Sequence, residues 1–108
     1  MQRLYALCLG LLVCSIGSAA SPTAKHDAVL RALKNSEPTV KDAVWTSPRV
    51  LKVGVLDTGK NRDGYAQYLC EVIGEHGLSG EGISVQVIDI AKLVKTDKWV
   101  KLGERQCR

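Results

Sequence analysis

The stretch VGVLDTGKNRDGYAQYLCEV, Val53 to Val72, contains the change of periodicity that decides the fold. Its start belongs to an apolar run, VLKVGVL from Val50 to Leu56. In this run Leu51, Val53 and Val55 share one face, while Val50 and Leu56 add apolar character to the other. Apolar residues on both faces mark a strand flanked on both sides, so this segment is read as a central strand. From Asn61 or Asp63 to about His76 the period becomes helical. Ala66, Leu69, Cys70 and Ile73 make an inner stripe, with Tyr65, Val72 and His76 beside it. Gly77 stands where a left-handed residue would end the helix.

Working outward, Ser21 to Lys25 reads as a short polar leader. Thr23 is placed to cap a helix over about Ala24 to Asn35, with Ala28, Val29, Ala32 and Leu33 on one face. Ser36-Glu37-Pro38 ends it, because the residue before a proline avoids the helical region. Val40 to Thr46 and Val50 to Leu56 are two strands with a hairpin-like break at Thr46-Ser47-Pro48. ISVQVIDI, Ile83 to Ile90, alternates Ile83, Val85 and Val87 against Ser84 and Gln86 and is the strongest strand signal. The tail AKLVKTDKWVKLGERQCR fits either a hairpin turning at Thr96-Asp97, or a helical turn capped by Asp89 and then a strand from Trp99 to Leu102. Thr-Asp is a poor two-residue hairpin turn, which favours the second. The order is α-β-β-α-β-(α)-β. The expected fold class is α+β: a small two-layer domain, helices packed on a three- to four-stranded, mostly antiparallel sheet. The expected division is 1–20 as a signal peptide, 21–38 as polar leader and N-terminal helix, and 39–108 as the α+β domain.

The first twenty residues, MQRLYALCLGLLVCSIGSAA, have the three parts of a secretory signal. Arg3 supplies the positive region, Leu4 to Ile16 the uncharged apolar core, and Ser18-Ala19-Ala20 the small residues for cleavage near Ala20. That core is short for a membrane span, which takes roughly 20 residues, so no span is expected in the mature form. Loss of Arg3 leaves 14 of the 15 Lys+Arg against all 11 acids, a net charge of +3. That excess is too small to call for nucleic acid. Cys8 and Cys14 leave with the signal, and Cys70 and Cys107 remain. An even pair in an exported chain reads as a disulfide, here one that staples the tail to the domain.

Asp57-Thr58-Gly59 after an apolar strand resembles the way aspartic proteases present a catalytic carboxylate. That chemistry needs two such groups sharing a proton, so a single copy implies a homodimeric acid hydrolase using Asp57. The resemblance covers Leu56 to Gly59. Lys60 stands where the family usually has Ala or Ser, and Lys101-Leu102-Gly103 lacks the second apolar residue of the family's later apolar-apolar-glycine element. The residues are also ordinary turn formers.

The loop from 59 to 71 overlaps a calcium-loop pattern, with Gly59, Asn61, Asp63 and Gly64 at its first, third, fifth and sixth places. The first place lacks a side-chain ligand and the twelfth is Cys70, with Glu71 one residue late. Gly59, Lys60 and Arg62 at a helix start suit an anion, but GKNRDG follows no phosphate-binding spacing. His26 and His76 have no second histidine at ligand spacing, and His76 is placed to interact with its helix's dipole. Lys92, Lys95, Lys98 and Lys101 recur every three residues and read as a solubilising basic segment.

The expected function is a small exported, periplasmic or secreted, non-enzymatic binding module without a cofactor or metal. Its expected partner is another envelope or extracellular protein. The candidate partner surface is Arg62, Tyr65, Tyr68, Lys98, Trp99 and Lys101, on the helix and tail joined through Cys70–Cys107. The competing expectations are the Asp57 hydrolase and a weak calcium-binding module built on the 59–71 loop.

Overall fold

In the computed structural model, which describes residues 21–108, helix α1 (Ser21–Ser36) leads into a hairpin of β1 (Asp42–Ser47) and β2 (Val50–Val55). Helix α2 (Asp63–Glu75), strand β3 (Ser84–Asp89), helix α3 (Ile90–Thr96) and strand β4 (Lys101–Gln106) follow. The signal-peptide expectation for 1–20 lies outside the described residues. Thr23, read as a cap, falls inside α1. The tail takes the helix-then-strand form: Asp89 is 3% exposed, and its Oδ1 accepts from the Lys92 N–H at 3.1 Å as the α3 cap. β4 starts two residues after Trp99 and runs on to Gln106.

The chain forms one α+β domain with a mixed sheet of order β1-β2-β3-β4. β1 and β2, and β3 and β4, pair antiparallel; β2 and β3 pair parallel. The expected mostly antiparallel sheet is corrected at its centre. The reason is topological: α2 crosses one face between β2 and β3, returning the chain to the end where β2 began. The register Leu51↔Val85, Val53↔Val87 stacks matched apolar residues on the helix-facing side. There they meet Val29 and Leu33 of α1 and Ala66, Leu69 and Ile73 of α2, all essentially without solvent contact.

Gly77 ends α2 with φ +83°. Leu78 N–H donates to the Ile73 carbonyl at 3.3 Å and Gly77 N–H to that of Gly74 at 3.1 Å. That is the Schellman pattern, closed by the buried pair Leu78 and Ile73. His76 Nδ1 donates to the Val72 carbonyl at 2.9 Å, satisfying one of the helix's last carbonyls.

Both ends of β4 are tied to α2. Cys70 and Cys107 form a disulfide with Cα atoms 5.3 Å apart. At the other end Gly103 faces the start of α2 so closely that a Cβ would overlap the backbone of Arg62 and Asp63. Arg62 N–H donates to the Leu102 carbonyl at 2.9 Å, and Glu104 N–H donates to Asp63 Oδ1 at 2.9 Å. The loop before α2 thus covers the first half of the free β4 edge.

Candidate binding surface

The six residues expected to form a partner surface divide between the two sides of the sheet. Arg62, Tyr65 and Tyr68 lie in the helical layer. Arg62 Nη2 donates to the Leu56 carbonyl at 3.1 Å and lies 3.5 Å from Thr58 Oγ1, bracing the turn that leaves β2. Its Nε is shielded from solvent and has no hydrogen-bond partner among the described residues. The Tyr65 and Tyr68 rings stack with centroids 6.0 Å apart. Both hydroxyls donate to Glu37, Tyr68 to Oε2 at 2.6 Å and Tyr65 to Oε1 at 3.4 Å. Glu37 follows α1, so the two phenols clamp the end of α1 to α2.

Burial, then the Glu37 charge and hydrogen bond, push Tyr65 up to about 12, and the Glu37 hydrogen bond is the first cause that raises Tyr68. A raised phenol pKa favours the protonated folded form. Its contribution is therefore whole below the ordinary value of about 10 and is lost as pH climbs from there toward about 12. The alkaline absorbance titration is expected to show tyrosine ionising late. Tyr65→Phe should flatten the fall in melting temperature over that window; an ordinary tyrosine titration would refute the clamp.

The motif residues of the same stretch serve the backbone. Asp57 is exposed, and its Oδ1 accepts from Gly59 N–H at 2.8 Å, closing a turn on a glycine at φ +83°. Asn61 Oδ1 accepts from Asp63 N–H at 2.8 Å, and the Asp63 carboxylate is engaged by Glu104 N–H. Among the described residues, no three His, Cys, Asp or Glu side chains gather in a way that could hold a metal ion.

The other three candidates lie beyond α3. Lys101 Nζ pairs with Glu104 Oε1 at 3.0 Å, both exposed. Lys98 is exposed in the α3–β4 loop. Trp99 folds back over the sheet face opposite the core, with Lys52 Nζ 4.7 Å from its ring centroid. On this outer face α3 covers one end only: Ile90 packs against Gly54, where a Cβ would come within 2.9 Å of Ile90 Cδ1. Beside it is a small recess of about 50 Å³ lined by Val44, Lys52, Gly54, Ile88, Leu93 and Trp99. Val44 remains 44% exposed and Trp99 49%.

Sequence reasoning missed Val44 and Lys52. Their signal was the alternation of β1 against Trp45, whose Nε1 donates to the His26 carbonyl at 3.0 Å on the α1 side. If Trp45 faces α1, Val44 must face away. No protein-family model, curated protein or solved structure matches this chain.

Proposed function

We propose that the chain is an exported, non-enzymatic binding module whose partner docks on the outer sheet face around Trp99 and Val44. The observation that carries this reading is a half-exposed tryptophan beside a half-exposed valine on a sheet face that α3 covers at one end. A tryptophan held over an apolar recess is the residue type that most often dominates protein–protein contacts, and Lys52 beneath it adds a cation to the patch. Export is supported by the Cys70–Cys107 disulfide, which belongs to an oxidising compartment, and by the form of residues 1–20. The partner is another envelope or extracellular protein.

The test is affinity capture from the native envelope with the wild type, Trp99→Ala, Val44→Glu and, on the other layer, Tyr68→Ala. Both outer-face variants are expected to lose the captured partner by about tenfold or more, the size of a lost hot-spot side chain. Their melting temperatures should stay near the wild type, and Tyr68→Ala should still capture the partner. Equal recovery by Trp99→Ala and Val44→Glu would reject the surface. An acid peptidase activity abolished by Asp57→Asn would replace the reading with the hydrolase.

A further inference from the structure

A sheet edge displays backbone groups that invite another strand, and folded chains ordinarily block it. Here most of the edge is blocked. On β1, Asp42 Oδ1 accepts from Ala43 N–H at 2.9 Å and pairs with Lys34 of α1 at 3.6 Å. A register shift between Trp45 and Ser47 interrupts the rest of that strand. On β4, Cys107 N–H donates to the Ile83 carbonyl at 2.7 Å, so by the register Gly103 and Arg105 turn their backbone groups toward β3. Leu102, Glu104 and Gln106 turn theirs outward. The Leu102 carbonyl is taken by Arg62 and the Glu104 N–H by Asp63. The Glu104 carbonyl, both backbone groups of Gln106 and the Arg108 N–H have no hydrogen bond within the described residues. An open trough of about 500 Å³ runs beside this segment, between it and Gln67, Cys70 and Glu71 of α2.

We infer that this open half-edge pairs with the same segment of a second copy, antiparallel about a two-fold axis through Gln106. The unsatisfied groups match that register. Gln106 exchanges N–H and carbonyl with Gln106 of the second copy, and each Glu104 carbonyl accepts from the other copy's Arg108 N–H. The two groups this register would leave over are already engaged: Glu104 N–H by Asp63, and the Arg108 carbonyl by Gly80 N–H at 3.2 Å. The side chains agree as well. Glu104 stands directly opposite Arg108 of the second copy on both sides of the axis, an attractive cross-strand pair made twice. A parallel partner strand lacks this reciprocity. The outcome is a continuous eight-stranded sheet with an isologous interface, which leaves the Trp99 face of each copy on the outside.

The test is sedimentation equilibrium of the disulfide-intact protein over roughly 10 µM to 1 mM, the range in which a small interface of this kind is populated. The mass should rise from one copy to two across that range and fall again at high salt, which screens exposed pairs. Glu104→Arg should raise the dissociation constant by about tenfold or more, and adding Arg108→Glu to the same chain should restore it. Gln106→Pro should abolish the dimer while the melting temperature stays near the wild type, because the lost N–H points away from β3. A single-copy mass throughout would overturn the inference. So would a dimer indifferent to Glu104→Arg and Gln106→Pro, which must use another face.

Discussion

Gly103→Ala is expected to cost about 3 kcal/mol or more and to lower the melting temperature by more than about 10 °C, read by thermal and urea unfolding followed by circular dichroism. The magnitude follows from what the added methyl meets. Its nearest neighbours are the Arg62 carbonyl carbon and oxygen and the Asp63 nitrogen, all main-chain atoms. A side chain would rotate aside, but backbone must move as a unit. It is pinned on both sides of Gly103 by the Arg62–Leu102 and Asp63–Glu104 hydrogen bonds. Moving β4 away breaks both. Moving α2 instead pulls Ala66, Leu69 and Ile73 off the sheet. Gly64, in the first turn of the same helix, has open space around it. Gly64→Ala should be neutral or stabilising by less than about 1 kcal/mol. Equal behaviour of the two variants would refute the close approach.

Loss of the disulfide is the other large effect. Reduction, or replacement of Cys70 and Cys107 by alanine, is expected to cost about 3–4 kcal/mol for a ring closed across 37 positions. It should appear as a lower urea midpoint in the presence of reductant. For a domain of fewer than 90 residues that is a large part of the whole stability. The second tie at Gly103 sets how the loss is felt: β4 stays anchored to the start of α2 while its far end is freed. Hydrogen exchange should therefore speed up at the Arg105 and Cys107 amides, which face β3, before it does at Gly103. An unchanged urea midpoint on reduction would show that the bond adds nothing to folding.

Legibility from sequence followed the range of the interactions. The stripe of α2, its glycine stop, the alternation of β3 and the Asp89 cap were readable because each is set by residues within a turn or two. The Cys70–Cys107 pair was readable because the first twenty residues, read as a signal, left no other cysteine. The parallel pairing of β2 with β3 was not inferred, although both ends of the clue were in view: a strand, a 13-residue helix and another strand in succession. Gly103 was weighed only as part of a missing protease element. Its role rests on contact with residues some forty positions earlier, which no local pattern records. The candidate surface was grouped by covalent connection through the disulfide. The sheet's thickness then separates what the chain joins: Tyr65 and Tyr68 clamp Glu37 in the helical layer, and Trp99 lies over Lys52 on the far side.

The covalent ring from Cys70 to Cys107 encloses the glycine-rich connection between α2 and β3, where Gly80 and Gly82 both hold left-handed backbone and the run from Ser79 to Gly82 is exposed. Such a loop is where an endoprotease would cut first. A cut there leaves both pieces in one covalent molecule, with β2 still paired along β3. In surroundings rich in proteases, a nicked chain would remain a folded one until something reduced it.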